Sequence, residues 1–166
     1  MALTSTVAAS PMFSFGVTET IDGDAITNQL VSFGDHEVRP GNLSSTSSPP
    51  VSVQSQQEYA LSGGTKTIDL QALATLLSSA RDTSGLKVQG IRITIPAGGT
   101  ALSVTGEGSN GYSLGGAVPI AAPSATYASV LTIWNPEAFA DVASGDRYLV
   151  VTGTGTQAFF IDLLIG

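Results

Sequence analysis

The chain has no cysteine and a single histidine in 166 residues. No disulfide can form, and neither a thiolate metal site nor a dithiol redox motif can be assembled. The fold must therefore rest on apolar burial and backbone hydrogen bonds. Charge is scarce as well: 11% of residues carry it, against roughly 25% in an ordinary globular chain. Six basic residues stand against thirteen acidic ones, for a net charge of −7. The basic residues (Arg39, Lys66, Arg81, Lys87, Arg92 and Arg147) are scattered singly, with no stripe to follow a phosphate backbone, so no nucleic-acid partner is expected. No apolar run approaches the ~18 residues of a membrane span, and no membrane partner is expected either. Met1 to Ser10 lacks the basic start and apolar stretch of a signal peptide, so no export from the cytoplasm is expected. Asn42-Leu43-Ser44 is then a chance match to the glycosylation sequon.

What the chain does have is a 42% apolar share, 19 Gly, 8 Pro and a neutral polar remainder of Ser, Thr, Asn and Gln. A chain of this length suits one domain that buries roughly 70% of its unfolded surface. Period-2 alternation dominates. Phe13, Phe15 and Val17 share one face of a strand over 12–18, and Asp22-Gly23-Asp24 turns the chain into a second strand over 25–33. With a short third strand near 37–39, the first forty residues read as an antiparallel meander. Gly41 to Pro50 holds four Ser, one Thr and a diproline. Such a segment cannot support a packed core and favours an extended connector, free to bridge to a neighbouring subunit. The domain reading is accordingly residues 1–50 as meander and arm, and 51–166 as sandwich.

Strands are expected over 51–61 and 65–70. Leu70, Leu73, Ala74, Leu76 and Leu77 then recur at three and four, behind Asp69 as a cap, and predict a helix of two to three turns over 69–81. Leu86 and Val88 alternate, Gln89-Gly90 breaks the phase, and Ile91, Ile93 and Ile95 resume it, the signature of a β-bulge. Further strands are expected over 101–105, 130–134, 148–152 and 158–165. Gly106 to Gly116, with five Gly and Asn110-Gly111, reads as a loop or hairpin. A terminal strand as apolar as Phe159 to Ile165 must be central or covered. The fold class is all-β: an antiparallel β-sandwich or jelly roll with one short helix and an extended Ser/Pro-rich connector.

Candidate chemistry is thin. His36, between Asp35 and Glu37, is the only base a Ser-His triad could use, and no Gly-x-Ser-x-Gly elbow accompanies it. Asp22-Gly23-Asp24 starts like a calcium loop but lacks the later acceptors, so it reads as a turn. Asp141 and Asp146 bracket a short loop; a glycosidase would need two such acids over an aromatic-lined cleft, and aromatics are only 7% of the chain. Gly106 to Gly111 has the Gly-x-Gly-x-x-Gly spacing, yet Tyr112-Ser113-Leu114-Gly115-Gly116 is no helix start, and nucleotide binding is rejected. Trp134 reads as a core anchor, whose replacement by Ala would then cost about 3–5 kcal/mol. No catalytic residue, metal or cofactor is expected. A low-charge β domain of this kind works by its surfaces, since few side chains need desolvating on contact.

Three stretches resemble virion structural proteins of tailed bacteriophages, of the small β-sandwich type that decorates heads. They are Leu86-Lys87-Val88-Gln89-Gly90-Ile91, Ser109-Asn110-Gly111-Tyr112 with its Gly-rich tail, and Val150-Val151-Thr152-Gly153-Thr154-Gly155-Thr156-Gln157. Thr46-Ser47-Ser48-Pro49-Pro50-Val51 is similar to a connector of such proteins. The resemblance covers about the last two thirds of the chain and rests on strand and turn patterns. It implies a non-enzymatic decoration or cement protein on the capsid exterior, partnered by the major capsid protein or other virion proteins. A homo-oligomer is expected, with a trimer favoured. The candidate interface is Leu43, Pro49, Pro50 and Val51, and the candidate exposed loop carries Asn110 and Tyr112. The alternatives are a lattice-forming capsid or tail-tube subunit, and a carbohydrate- or receptor-binding virion module using Tyr112.

Overall fold

A computed structural model describes residues 8–9, 43–44, 48, 50–75, 78–106, 108–135 and 139–166. The chain divides into two compact units, Ser10–Asn42 and the remainder, Met1–Ala9 with Leu43–Gly166. The meander expected over the first forty residues, His36 and the Asp22-Gly23-Asp24 turn fall outside the described residues, apart from the two-residue strand β1 (Ala8–Ala9). β1 pairs with β2 (Leu43–Ser44) in a short antiparallel ladder.

Ten further strands follow: β3 (Val53–Ala60), β4 (Thr65–Asp69), β5 (Leu73–Thr75), β6 (Ser78–Arg81), β7 (Val88–Ile95), β8 (Leu102–Gly106), β9 (Val118–Ile120), β10 (Ser129–Trp134), β11 (Tyr148–Thr152) and β12 (Ala158–Ile165). Among the described residues, every ladder between these strands is antiparallel. Eight of these strands make two four-stranded sheets, ordered β10-β7-β12-β3 and β4-β11-β8-β9. Counted along the chain without the β5–β6 hairpin, that is sixth-third-eighth-first in one sheet and second-seventh-fourth-fifth in the other. This alternation between sheets is the jelly roll, two Greek keys folded over one core.

The alternation in sequence explains the layers. On β12, Phe159, Ile161, Leu163 and Ile165 are buried, whereas Phe160, Asp162 and Leu164 face the other way. β7 supplies Ile91, Ile93 and Ile95 to the same core, and the second sheet supplies Ile68, Leu102, Val104, Leu149 and Val151. β12 is hydrogen-bonded on both edges, to β3 and β7, as its apolar run requires. The bulge also lies where the phase break put it. Leu164 pairs with Gly90 and Ile165 with Val88, leaving Gln89 as the extra residue. Gln89 turns inward and anchors the start of the sandwich, its Nε2 donating to the Pro50 carbonyl at 2.8 Å.

The helix over 69–81 is not formed. A single 3-10 turn spans Leu70–Ala72, and the chain then makes the β5–β6 hairpin, with Leu73 opposite Arg81 and Thr75 opposite Ser78. Asp69 does cap the turn, accepting from the Gln71 backbone N–H at 3.0 Å. Tertiary contacts override helix propensity here. Leu70 and Leu73 reach the core from one tight turn, and the Ala74 carbonyl accepts from Ser55 Oγ at 2.6 Å instead of from a helical amide. One strand, β9, carries no alternation in sequence. It is three residues long with Pro119 in its middle, a residue tolerated because β9 is a sheet edge.

At one end of the sandwich two glycine turns clasp each other. Gly64 N donates to the Gly155 carbonyl at 2.8 Å, and Gly153 N donates to the Gly64 carbonyl at 2.8 Å. Gly64 has φ +84°, and a Cβ there would stand 2.9 Å from the Gly153 oxygen. Both the conformation and the close approach require glycine.

Candidate functional site

The outward face of the β10-β7-β12-β3 sheet carries the most distinctive group of side chains. Register aligns them in three rows across the strands. Glu58, Phe160, Thr94 and Val130 form the first row, Gln56, Asp162, Arg92 and Thr132 the second, and Gln54, Leu164, Gly90 and Trp134 the third. Each row crosses the strands at about 4.8 Å per step, and successive rows are about 6.7 Å apart.

Two large apolar side chains on this face stay open to solvent, Phe160 at 40% and Val130 at 58% exposure. Beside Phe160 lies an ion pair: Arg92 Nε donates to Asp162 Oδ2 at 2.6 Å. The guanidinium side is 55% exposed and the carboxylate 18%. Asp162 Oδ1 is buried and has no hydrogen-bond partner among the described residues. Around these groups a shallow recess of about 460 Å³ is lined by Gln56, Gln57, Glu58, Arg92, Thr94, Phe160 and Asp162. Since β3 is the edge strand, the recess runs to the border of the sheet.

Trp134 belongs to this face and not to the core. Its ring lies across Gly90, where a Cβ would meet Trp134 Cε3 at 3.0 Å and Leu164 Cδ1 at 3.5 Å. The expectation of a core anchor is corrected: Trp134 sits at the last position of β10, on the outward phase set by inward Leu131 and Ile133. With the ring half-buried, Trp134→Ala should cost about 1–2 kcal/mol in urea unfolding, not the 3–5 kcal/mol of a core ring. Gly90→Ala should destabilise by about 1 kcal/mol or more, because the ring must move to admit the methyl group.

The loop residue Tyr112 is corrected as well. It is fully buried, its hydroxyl donates to the Ala140 carbonyl at 2.6 Å, and it accepts from the Val88 N–H at 3.1 Å. Its ring tilts against Phe139 with centroids 6.2 Å apart. Burial pushes the phenol up to about 12; the Val88 hydrogen bond opposes that shift and the Asp141 and Asp146 carboxylates add to it. Tyr112 therefore cannot be a glycan platform. Asn110 is exposed, and its carbonyl accepts from the Arg147 N–H at 2.9 Å.

Of the candidate interface residues, Val51 is 1% exposed and packs within its own chain, which corrects its place among the interface candidates. Pro50 is exposed with its carbonyl held by Gln89. Leu43 lies on β2, and Pro49 falls outside the described residues. Asp141 pairs with Lys87 at 2.9 Å, and Asp146 closes a tight turn with Ala143. The described residues hold no group of three or more His, Asp or Glu side chains arranged to hold a metal ion. The Gly-x-Gly-x-x-Gly segment runs through a 3-10 turn at Gly108–Asn110 toward β9 rather than into a helix facing a ligand.

No family model matches the chain, and no curated protein matches it. The outward-face group went unnoticed in the sequence because its members lie on four strands far apart in the chain. One signal was present: in an alternating strand, the doublet Phe159-Phe160 must send one ring outward.

Proposed function

We propose that this protein is a non-enzymatic structural component of a tailed-phage virion that binds the outer capsid lattice and stabilises it. The observation that carries the reading is the jelly-roll order of the eight strands, an architecture that recurs in viral capsid domains. A surface with few charges supports it, because close subunit packing then strips little hydration from ionic groups. The resemblance of the 86–91, 109–112 and 150–157 stretches to head-decorating proteins points the same way. The net charge of −7 suits an exterior position away from packaged DNA.

The mechanism is mechanical. Apolar area buried across capsomer junctions resists the outward pressure of the genome. At ~25 cal/mol per Å² of apolar surface, about 800 Å² per subunit would contribute roughly 20 kcal/mol before the costs of association. The test is the mass of the purified protein in solution, alone and then mixed with particles that lack it. A discrete small oligomer, with a trimer favoured, that binds those particles is the expected result. A monomer indifferent to particles would overturn the proposal, and spontaneous tubes or shells would replace it with a lattice-forming subunit.

A further inference from the structure

We infer that the recess around Phe160 on the outward sheet face is a binding site for a neutral hexopyranose unit of a glycan. The inference does not depend on where in a virion, or whether in one, the protein works. It rests on size, on the mixture of groups, and on the sign of the charge.

The size is that of one sugar. The rows Glu58–Phe160–Thr94 and Gln56–Asp162–Arg92 make a grid of six side chains on three strands. With the strand and residue spacings of a sheet, this grid covers about 10 Å by 7 Å, one pyranose ring with its hydroxyls. A stable protein partner would need on the order of 800 Å² from each side. Among the described residues this face exposes only two large apolar side chains, Phe160 and Val130.

The groups are those a sugar uses. The 40% exposed Phe160 ring is a flat apolar platform for the C–H face of a pyranose. Around it stand acceptor-only carboxylates (Glu58, Asp162), a donor-only guanidinium (Arg92) and an amide that does both (Gln56). Vicinal hydroxyls, each a donor and an acceptor, satisfy such a set together. Asp162 gives one oxygen to Arg92 and keeps the other buried without a donor among the described residues. The ligand hydroxyls would instead meet Glu58 and Arg92, both exposed on this face.

The charge selects the class. Two carboxylates against one guanidinium leave the recess with an excess of one negative charge. Phosphates, uronic acids and other anionic sugars are therefore disfavoured.

The test is titration of the isotope-labelled full-length protein with maltohexaose, cellohexaose, laminarihexaose, chitohexaose and tetragalacturonic acid, read by amide chemical shifts. At least one neutral oligosaccharide should give saturable shifts centred on Glu58, Thr94 and Phe160. Phe160→Ala should weaken that binding by about tenfold or more at an unchanged fold, and Gln56→Ala by a smaller factor. Tyr127→Ala, which removes a 75% exposed ring elsewhere on the surface, should leave it intact. Absence of such shifts at about 10 mM of every neutral oligosaccharide would overturn the site. So would binding that survives Phe160→Ala, or tetragalacturonic acid binding as tightly as the neutral sugars.

Discussion

Replacing Tyr112 by alanine is expected to cost about 3–5 kcal/mol of stability, and replacing it by phenylalanine about 1–3 kcal/mol. The alanine variant empties a fully buried site between the β8–β9 loop and the core. It also strands two backbone groups, the Ala140 carbonyl and the Val88 N–H, which now share the one hydroxyl. The phenylalanine variant keeps the ring and loses only those bonds, so the difference between the two separates packing from hydrogen bonding. A pH dependence follows from the same burial. The folded phenol titrates at about 12 against a reference value of 10.0, so below pH 10 it is neutral in both folded and unfolded chains. Between pH 10 and 12 only the unfolded chain ionises there, and stability falls as pH rises. The loss attributable to this residue is about 2–3 kcal/mol, complete near pH 12. Urea unfolding from pH 9 to 12 should show that part of the decline in the wild type and not in Tyr112→Phe. Equal slopes in the two proteins would mean that the hydroxyl is solvated.

Tyr112 also marks how far the sequence could be read. Its neighbours, five glycines and an Asn-Gly pair within 106–116, are honest signals of a loop, and a loop is what forms. What they cannot convey is that Gly111 bridges to Tyr148 and Tyr112 N donates to the Tyr148 carbonyl at 2.9 Å. That pairing carries one side chain of a surface loop down into the core. The bulge at Gln89 and the central place of β12 were legible, because each follows from the phase and polarity of a single segment. The 69–81 segment misled for the opposite reason. Leucines at three and four fit a helix, but they equally fit one 3-10 turn and a hairpin once Ser55 offers its hydroxyl to Ala74. The outward-face recess was illegible since it exists only through the register of β3, β7 and β12. Trp134 illustrates the same limit: its side of the sheet is fixed by alternation from Leu131 and Ile133, while Gly90, the residue that lets the ring lie flat, is found only by pairing.

Phe159 and Phe160 convert that register into a measurement. The two residues are adjacent on the central strand β12 and chemically identical, yet Phe159 is fully buried and Phe160 is 40% exposed. Phe159 packs in the shared core with Tyr59, ring centroids 6.1 Å apart. Phe159→Ala should therefore cost about 3–5 kcal/mol and lower the melting temperature by roughly 10 °C or more. Phe160→Ala should cost only about 1–2 kcal/mol, because its partly exposed ring gives up less buried area and leaves no closed cavity. A slip of one residue in β12 would exchange the two outcomes, since every side chain of the strand would change faces. Similar costs at both positions would mean that the outward face is covered by something in the folded protein. The recess would then not be free to take a sugar, and thermal unfolding of these two variants is thus a test of the binding face as much as of the fold.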